Sequence, residues 1–257
     1  MNTPTNSFYI ATNENGSFTR NLPLWASSKE NPLALTESAN QAITRVDVDG
    51  VPGAFQLLNV LSHEECLAFI RAAESLGYHD DAAVSLGRHI RHNMNLNWII
   101  DSVTERRIWS RVAPFFNVND TFYLGKKPLS LNQRFRFYRY EKGDFFGVHT
   151  DGAWPGSQII SGKPLADAFG DRYSLYTFLI FLNDDFIGGE TQFFLDENDV
   201  TKPARSPQTA LIHGVRTPRG GVLCFPHGSH PLHCLHASQE ISQGAKYIIR
   251  TDVLFSL

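Results

Sequence analysis

From residue 131 onward, apolar and polar positions alternate in short runs broken by Gly, Pro, Asn and Asp. A period of two marks half-buried strands, and it predicts strands over 131–140, 173–182, 191–195, 221–225 and 246–255. Many short strands of this kind predict an antiparallel sandwich or jelly roll. Residues 45–61 alternate as well, around turn signals at Asp49-Gly50 and Pro52-Gly53, which gives one or two further strands. The period then changes. Ser62 and Glu65 form a Ser-x-x-Glu capping box, Leu67, Ile70, Ala73 and Leu76 follow at helical spacing, and Gly77 supplies the stop. The same signature at Ser102 and Glu105 predicts a second helix through Ile108, Trp109 and Val112, ended by Pro114-Phe115-Phe116. The expected fold class is mainly β with flanking helices (α+β).

Three stretches carry no period. Residues 1–43 are polar and Pro-containing and read as an irregular N-terminal arm beside a single domain over 44–257. Residues 83–98 are rich in Asn and His and hold Arg88, Arg91 and Asn93. They read as a loop, either solvated or facing a substrate, because functional groups concentrate on loops held by a rigid scaffold. The segment 152–172 contains Trp154-Pro155-Gly156, Gly162-Lys163-Pro164 and Gly170-Asp171, and reads as a surface loop or a lid over a site. No internal repeat or low-complexity tract occurs.

Composition narrows the function classes. Across 257 residues, 42% are hydrophobic and 12% aromatic, with 19 Phe, as in a globular protein. The formal charge of −3 provides no basic footprint for nucleic acid or an anionic membrane surface. No apolar run reaches membrane-span length, and the first thirty residues lack the apolar core of a signal peptide. Cys66, Cys224 and Cys234, three in number and in no Cys-x-x-Cys pair, fit buried thiols in a reducing compartment. The expected location is cytoplasmic, and the sequence carries no signal for an oligomeric state.

The chemistry gathers at His149-Thr150-Asp151. Residues i and i+2 of an extended strand share a face, so the imidazole and the carboxylate reach one point in space. They make two-thirds of the 2-His-1-carboxylate triad that holds non-heme Fe(II). The second histidine has to come from elsewhere, and His213, His227, His230, His233 and His236 all stand late in the chain. Spacing does not choose among them.

Three blocks do. The run Arg139-Tyr140-Glu141-Lys142-Gly143-Asp144-Phe145-Phe146-Gly147-Val148-His149-Thr150-Asp151 resembles the first metal-ligand strand of the prolyl 4-hydroxylase-like 2-oxoglutarate and Fe(II)-dependent dioxygenases. Phe178–Thr191, ending in Gly188-Gly189-Glu190-Thr191, resembles that family's Gly-Gly-Glu-Thr turn. Leu235-His236 through Gly244-Ala245-Lys246-Tyr247 resembles its distal-ligand segment. The blocks stand in the family's order, and the resemblance covers residues 54–257. It implies a distorted double-stranded β-helix of jelly-roll or cupin type, with N-terminal helices packed on one sheet. It also implies His149, Asp151 and His236 as metal ligands and Lys246, Tyr140 and Thr177 as partners of the 2-oxoglutarate C5 carboxylate. Arg250 shares strand parity with Lys246 and is a further candidate, for cosubstrate, for substrate or for pairing with Asp252. Phe135, Phe137, Phe145 and Phe146 are candidates for an apolar lining that excludes water. Ala237-Ser238 after the distal histidine and Asp185-Phe186-Ile187 in the turn depart from the family pattern, which bears on substrate preference.

The activity implied by the resemblance uses Fe(II), 2-oxoglutarate and O2, with ascorbate as reductant. It couples decarboxylation of 2-oxoglutarate, to succinate and CO2, to hydroxylation of an unactivated C–H bond. The resemblance favours a prolyl residue in a peptide or protein, bound by Arg88, Arg91, Asn93 and Trp154. A free amino acid or small metabolite is the alternative. A cupin-type metalloenzyme without 2-oxoglutarate and a non-catalytic binding module are readings from other classes.

Overall fold

The computed structural model describes residues 7–83, 87, 89–117 and 120–257. Strands β1 (Phe8–Glu14), β2 (Leu22–Ser27), β3 (Thr44–Asp47) and β4 (Phe55–Leu58) precede helix α1 (His63–Leu76). Strands β5 (Arg91–His92) and β6 (Met94–Ile99) lead into helix α2 (Ser102–Val112). Next come β7 (Pro128–Leu131), β8 (Arg134–Tyr140), β9 (Phe145–His149) and the small hairpin β10 (Gln158–Ile160) and β11 (Lys163–Leu165). The remainder holds β12 (Arg172–Phe181), β13 (Ile187–Gly188), β14 (Thr191–Asp196), β15 (Ala210–Val215), β16 (Val222–Pro226), β17 (Leu235–Ser238), β18 (Ile241–Gln243) and β19 (Lys246–Ser256). Every strand expected after residue 131 is present.

Two sheets form the body. The large one runs β1-β2-β6-β8-β19-β12-β16-β4-β3, with β7 also on β19, and the small one runs β15-β14-β17-β9-β5. Side chains of both meet in one cluster, where Tyr138, Leu179, Leu223 and Ile248 of the large sheet pack with Phe146, Phe193 and Val215 of the small. The opposite face of the large sheet packs on the helices, with Trp98, Phe135 and Phe137 against Phe69 of α1. Alternation along β8 makes this division: Phe135 and Phe137 go to the helix side, whereas Tyr138 and Tyr140 belong to the cluster between the sheets. Phe135 and Phe137 therefore do not line the expected site, while Phe146 does.

Helix α1 starts as its sequence predicts. The Ser62 hydroxyl accepts from the Glu65 N–H, the Glu65 carboxylate accepts from the Ser62 N–H, and Gly77 closes the helix at φ 91°. Helix α2 differs. Its cap is Asp101, whose carboxylate accepts from the Val103 and Thr104 N–H groups. Glu105 is turned inward to accept from the Leu131 N–H at 2.9 Å, and burial pushes its carboxyl up to about 7.

Two stretches expected to be irregular are parts of sheets. In the first 43 residues, β1 and β2 pair antiparallel, and β2 pairs with β6 in parallel. Phe18, Thr19 and Ser17 donate backbone N–H groups to the Asp81 carboxylate, and Arg134 pairs with Glu14 at 2.6 Å. Within 83–98, Met94–Ile99 is a central strand between β2 and β8. Trp98, fully buried, explains why: it stacks on Phe137 with centroids 5.8 Å apart. The segment 152–172 is pinned to the body through Asn132, whose side chain bonds Pro155 and Ser157. No helix of the described residues is long and apolar enough to cross a membrane.

Candidate active site

Strand pairing assembles the centre. His149 ends β9 and lies directly across from His236 in β17, so two imidazoles start from opposed Cα positions. Asp151 follows β9, its carbonyl accepting from the Gly228 N–H at 3.1 Å. One donor atom from each of His149, Asp151 and His236 lies within 4.8 Å of the others. The Nε2 atoms stand 3.8 Å and 3.7 Å from the Asp151 carboxylate. Phe146 stacks on His149 at 3.6 Å between centroids, and Phe225 packs edge-on against His236.

The tautomers follow from the backbone. His149 Nδ1 lies 2.8 Å from the Gly147 carbonyl and His236 Nδ1 3.0 Å from the Cys234 carbonyl. Carbonyl oxygens only accept, so each Nδ1 carries the proton and each Nε2 lone pair faces the centre. Protonation states agree. Burial, aided by the neighbouring His236, brings the His149 imidazolium down to about 3, and burial lowers His236 as well. Burial by itself would raise the Asp151 carboxyl, but Arg250 and the two histidines outweigh it and hold the group well below the usual carboxylate range. Two neutral imidazoles and a carboxylate are a donor set that suits a divalent first-row metal such as non-heme Fe(II).

A relay of hydrogen bonds fixes the carboxylate. Thr177 Oγ1 donates to Asp151 Oδ2 at 2.7 Å, so it accepts from His227 Nδ1–H at 2.9 Å, and His227 Nε2 in turn accepts from the Ser174 hydroxyl at 2.8 Å. The Ser174 hydroxyl accepts the Trp154 N–H, also at 2.8 Å. Every proton in this chain has one placement. A neutral His227 is needed, and burial supplies it by bringing the imidazolium down to about 4. Thr177 thus spends its proton on the metal-ligand candidate, in contrast to the role expected for it at a cosubstrate carboxylate.

Lys246 stands at the other end of the same cavity, which holds about 400 Å³ of free space, part of it open to solvent. Its ammonium is buried and donates to the Gly189 carbonyl at 2.6 Å and Ser238 Oγ at 3.0 Å. Among the described residues no carboxylate pairs with it. Burial, with a smaller repulsion from Arg216, brings it down to about 7. A buried ammonium with neutral acceptors alone is costly and suits a site built to receive an anion. Tyr140 is its cross-strand partner, with the ring 5.3 Å from Nζ. Thr191 pairs across β14 and β17 with Ser238 and lines this end. It is the threonine that sits beside the Lys246 partners, and its signal was present in the Gly-Gly-Glu-Thr run that ends on it. Gly188 and Gly189 make the close turn possible: both have positive φ, and a Cβ at Gly188 would lie 2.2 Å from the Glu240 carbonyl oxygen.

The remaining candidates divide. Arg250 lines the cavity and pairs with Asp151 at 3.3 Å and Asp252 at 3.0 Å. Trp154 stands 5.4 Å from the guanidinium of Arg136. Arg91 and Asn93 line a separate hollow with Asp80, His92 and Asp144, and the Arg91 guanidinium stands 5.5 Å from the Phe146 ring. Arg88 lies outside the described residues. Arg136 was not among the expected site residues, and His227 was weighed only as a distal ligand and Asp252 only as a partner of Arg250, although Arg136 shares parity with Tyr140, and Asp252 with Lys246.

No protein-family model and no curated protein matches the sequence. Among solved structures, a prolyl-4-hydroxylase from Pseudomonas putida aligns with 79% of this chain and 92% of its own at 16% identity, with a TM-score of 0.51. The chain has the fold of a prolyl-4-hydroxylase. A viral collagen prolyl hydroxylase from Paramecium Bursaria Chlorella virus-1, in complex with 2-oxoglutarate, aligns with 85% of this chain and 98% of its own at 16% identity and a TM-score of 0.47. A Trichoplax adhaerens prolyl hydroxylase, in complex with a hypoxia inducible factor peptide fragment, aligns over 83% and 84% at 12% identity and a TM-score of 0.49. At these identities the likeness is one of fold.

Proposed function

We propose that this protein is an Fe(II)- and 2-oxoglutarate-dependent oxygenase that hydroxylates an unactivated C–H bond. One observation carries the reading: the three convergent donors of His149, Asp151 and His236 share a cavity with Lys246, a buried ammonium that has no carboxylate. Iron bound by the triad supplies oxygen activation, driven by conversion of 2-oxoglutarate to succinate and CO2. The chain's own groups do the rest. Lys246, with Tyr140 and the Thr191 hydroxyl, receives the far carboxylate of the cosubstrate. Thr177 and His227 hold Asp151 in one orientation, and losing a partner of this kind typically costs a metal site about 10- to 100-fold in affinity. Phe146 and Phe225 pack on the two imidazoles and keep water from them.

The likeness in fold to a prolyl-4-hydroxylase supports a proline ring as the group oxidised. Cys66, Cys224 and Cys234 are free and buried, which fits a cytosolic setting, with ascorbate as reductant. The test is direct. Protein supplied with Fe(II), ascorbate, 2-oxoglutarate and O2 should bind one iron and release succinate, and the Lys246→Met variant should keep the iron and lose 2-oxoglutarate binding. Iron binding with activity indifferent to that substitution would identify a cupin-type enzyme that does not use 2-oxoglutarate. Failure to bind iron would identify a non-catalytic module.

A further inference from the structure

Beside the metal-ligand candidates, two donors flank Gly152, the exposed residue that follows Asp151, and a third stands next to them. Arg250 Nη2 lies 3.4 Å from the Gly152 carbonyl, and a Cβ at Gly152 would lie 3.8 Å from Trp154 Nε1. Arg136 is the cross-strand neighbour of Arg250 and stands under the Trp154 ring. These donors are poorly used. Trp154 Nε1 is buried with no hydrogen-bond partner, Arg250 Nε makes no hydrogen bond and faces the Asp151 carboxylate 3.3 Å away, and the hydrogen bond of Arg136 among the described residues is one of 3.5 Å to Asp252. Burial, then repulsion from Arg250, lowers Arg136 from the usual guanidinium range. With Asp151 assigned to the metal, two guanidiniums face the single carboxylate of Asp252. One positive charge is left over.

A surplus of one charge, with forked planar donors and an indole N–H beside them, fits a carboxylate better than a doubly charged phosphate. We propose that Arg136, Arg250 and Trp154 bind a carboxylate of the substrate itself, so that the molecule hydroxylated is an amino acid or a peptide bearing its free C-terminal carboxylate next to the oxidised residue. The inference rests on the oxygenase reading above and narrows its substrate class: an internal residue of a protein, whose carbonyl is an amide, leaves the extra charge unpaired. Arg136 and Trp154 are binding residues in this scheme. The reaction is the hydroxylation already proposed, in which one oxygen atom of O2 enters the C–H bond and the other enters succinate.

The experiment uses the protein loaded with Fe(II) and 2-oxoglutarate. One pool contains the common L-amino acids and short peptides with free C-termini, the other holds the same compounds as C-terminal amides together with peptides carrying internal prolines. Oxygen gain is read by mass spectrometry. The expected result is oxygen gain in the acid pool, at least ~10-fold above the matching amides, the loss expected when a charge-assisted pair is removed. Product on free amino acids alone or on peptide termini alone tells the two sources of the carboxylate apart. Anaerobic calorimetry with the acid so identified should then show a Kd at least ~10-fold weaker for Trp154→Phe, which keeps the ring and removes the N–H, and for Arg136→Gln, with the Kd for 2-oxoglutarate unchanged. Equal oxygen gain on acids and amides, gain on internal prolines, or no gain in either pool while 2-oxoglutarate still binds would overturn the inference. Loss of 2-oxoglutarate binding in the unsubstituted protein would instead overturn the oxygenase reading beneath it.

Discussion

Strands β8 and β19 lie side by side, and their two faces differ in kind. Toward the helices they present Phe135, Phe137, Ile249, Val253 and Phe255, which pack into an apolar core. Toward the small sheet they present Arg136, Tyr138, Tyr140, Lys246 and Arg250, equally buried but with charges that the fold only partly satisfies. Equal burial therefore has two meanings. On one face it stabilises through apolar area removed from water. On the other it costs stability and prepares groups for ligands, because a buried charge is strongly attracted to whatever neutralises it.

Substitutions on each face should have separable readouts. The largest effect is expected for His236→Ala, which removes the donor that the small sheet sets opposite the cavity face: bound iron by metal analysis and succinate release should both fall to background while the thermal transition stays. Next, Phe137→Ala on the helix face should lower unfolding stability by about 3–5 kcal/mol in urea titrations. Folded protein should still bind iron, and a lost metal site without lost stability would break the distinction. Lys246→Met should weaken 2-oxoglutarate by the ~2–5 kcal/mol typical of truncating one partner of a buried charge pair, read by calorimetry. Its melting temperature should hold or rise, since the change removes an ammonium paired only with neutral acceptors. Thr177→Val keeps the shape but leaves Asp151 and His227 each short of a partner, and iron affinity should drop roughly 10- to 100-fold. The smallest effect is on pH. Lys246 sits at about 7 without ligand, so it is charged below that pH and neutral above it. An anion needs the charged form, so 2-oxoglutarate affinity should be constant below pH 7 and fall by up to ~10-fold per unit above it, a slope that Lys246→Arg should abolish.

The same two faces mark what was legible beforehand. The strands after residue 131 could be read because a sheet with one face on each core writes a period of two into the sequence, and His149-Thr150-Asp151 lies on it. The distal histidine could not be chosen by period, since the loops around His227, His230 and His233 have none; it needed the family resemblance. Thr177 and Thr191 carry the same hydroxyl on neighbouring parts of the cavity, and only the hydrogen bond to Asp151 shows which one serves the metal-ligand candidate. Strand β2 hid behind Pro23, a residue that argues against strands. Leu22, Leu24 and Ala26 nevertheless alternate as buried positions, and pairing with β6 begins only at Leu24, beyond the proline. Strand β6 hid behind its asparagines, whose neighbours Leu96 and Trp98 are buried because β2 and β8 flank them on both sides.

Trp98 has one more consequence. Its indole N–H donates to Ser27, and its ring meets Phe8 edge-on at 4.9 Å, so β1 and β2 shield one flank of the large sheet. A chain begun at residue 44 would leave β6 with a row of unpaired backbone N–H and C=O groups beside an uncovered tryptophan. Such an open edge is a template for the same edge of another molecule. The N-terminal strands are therefore a guard against aggregation, and shortened versions of this protein should be lost to precipitation before their chemistry can be measured.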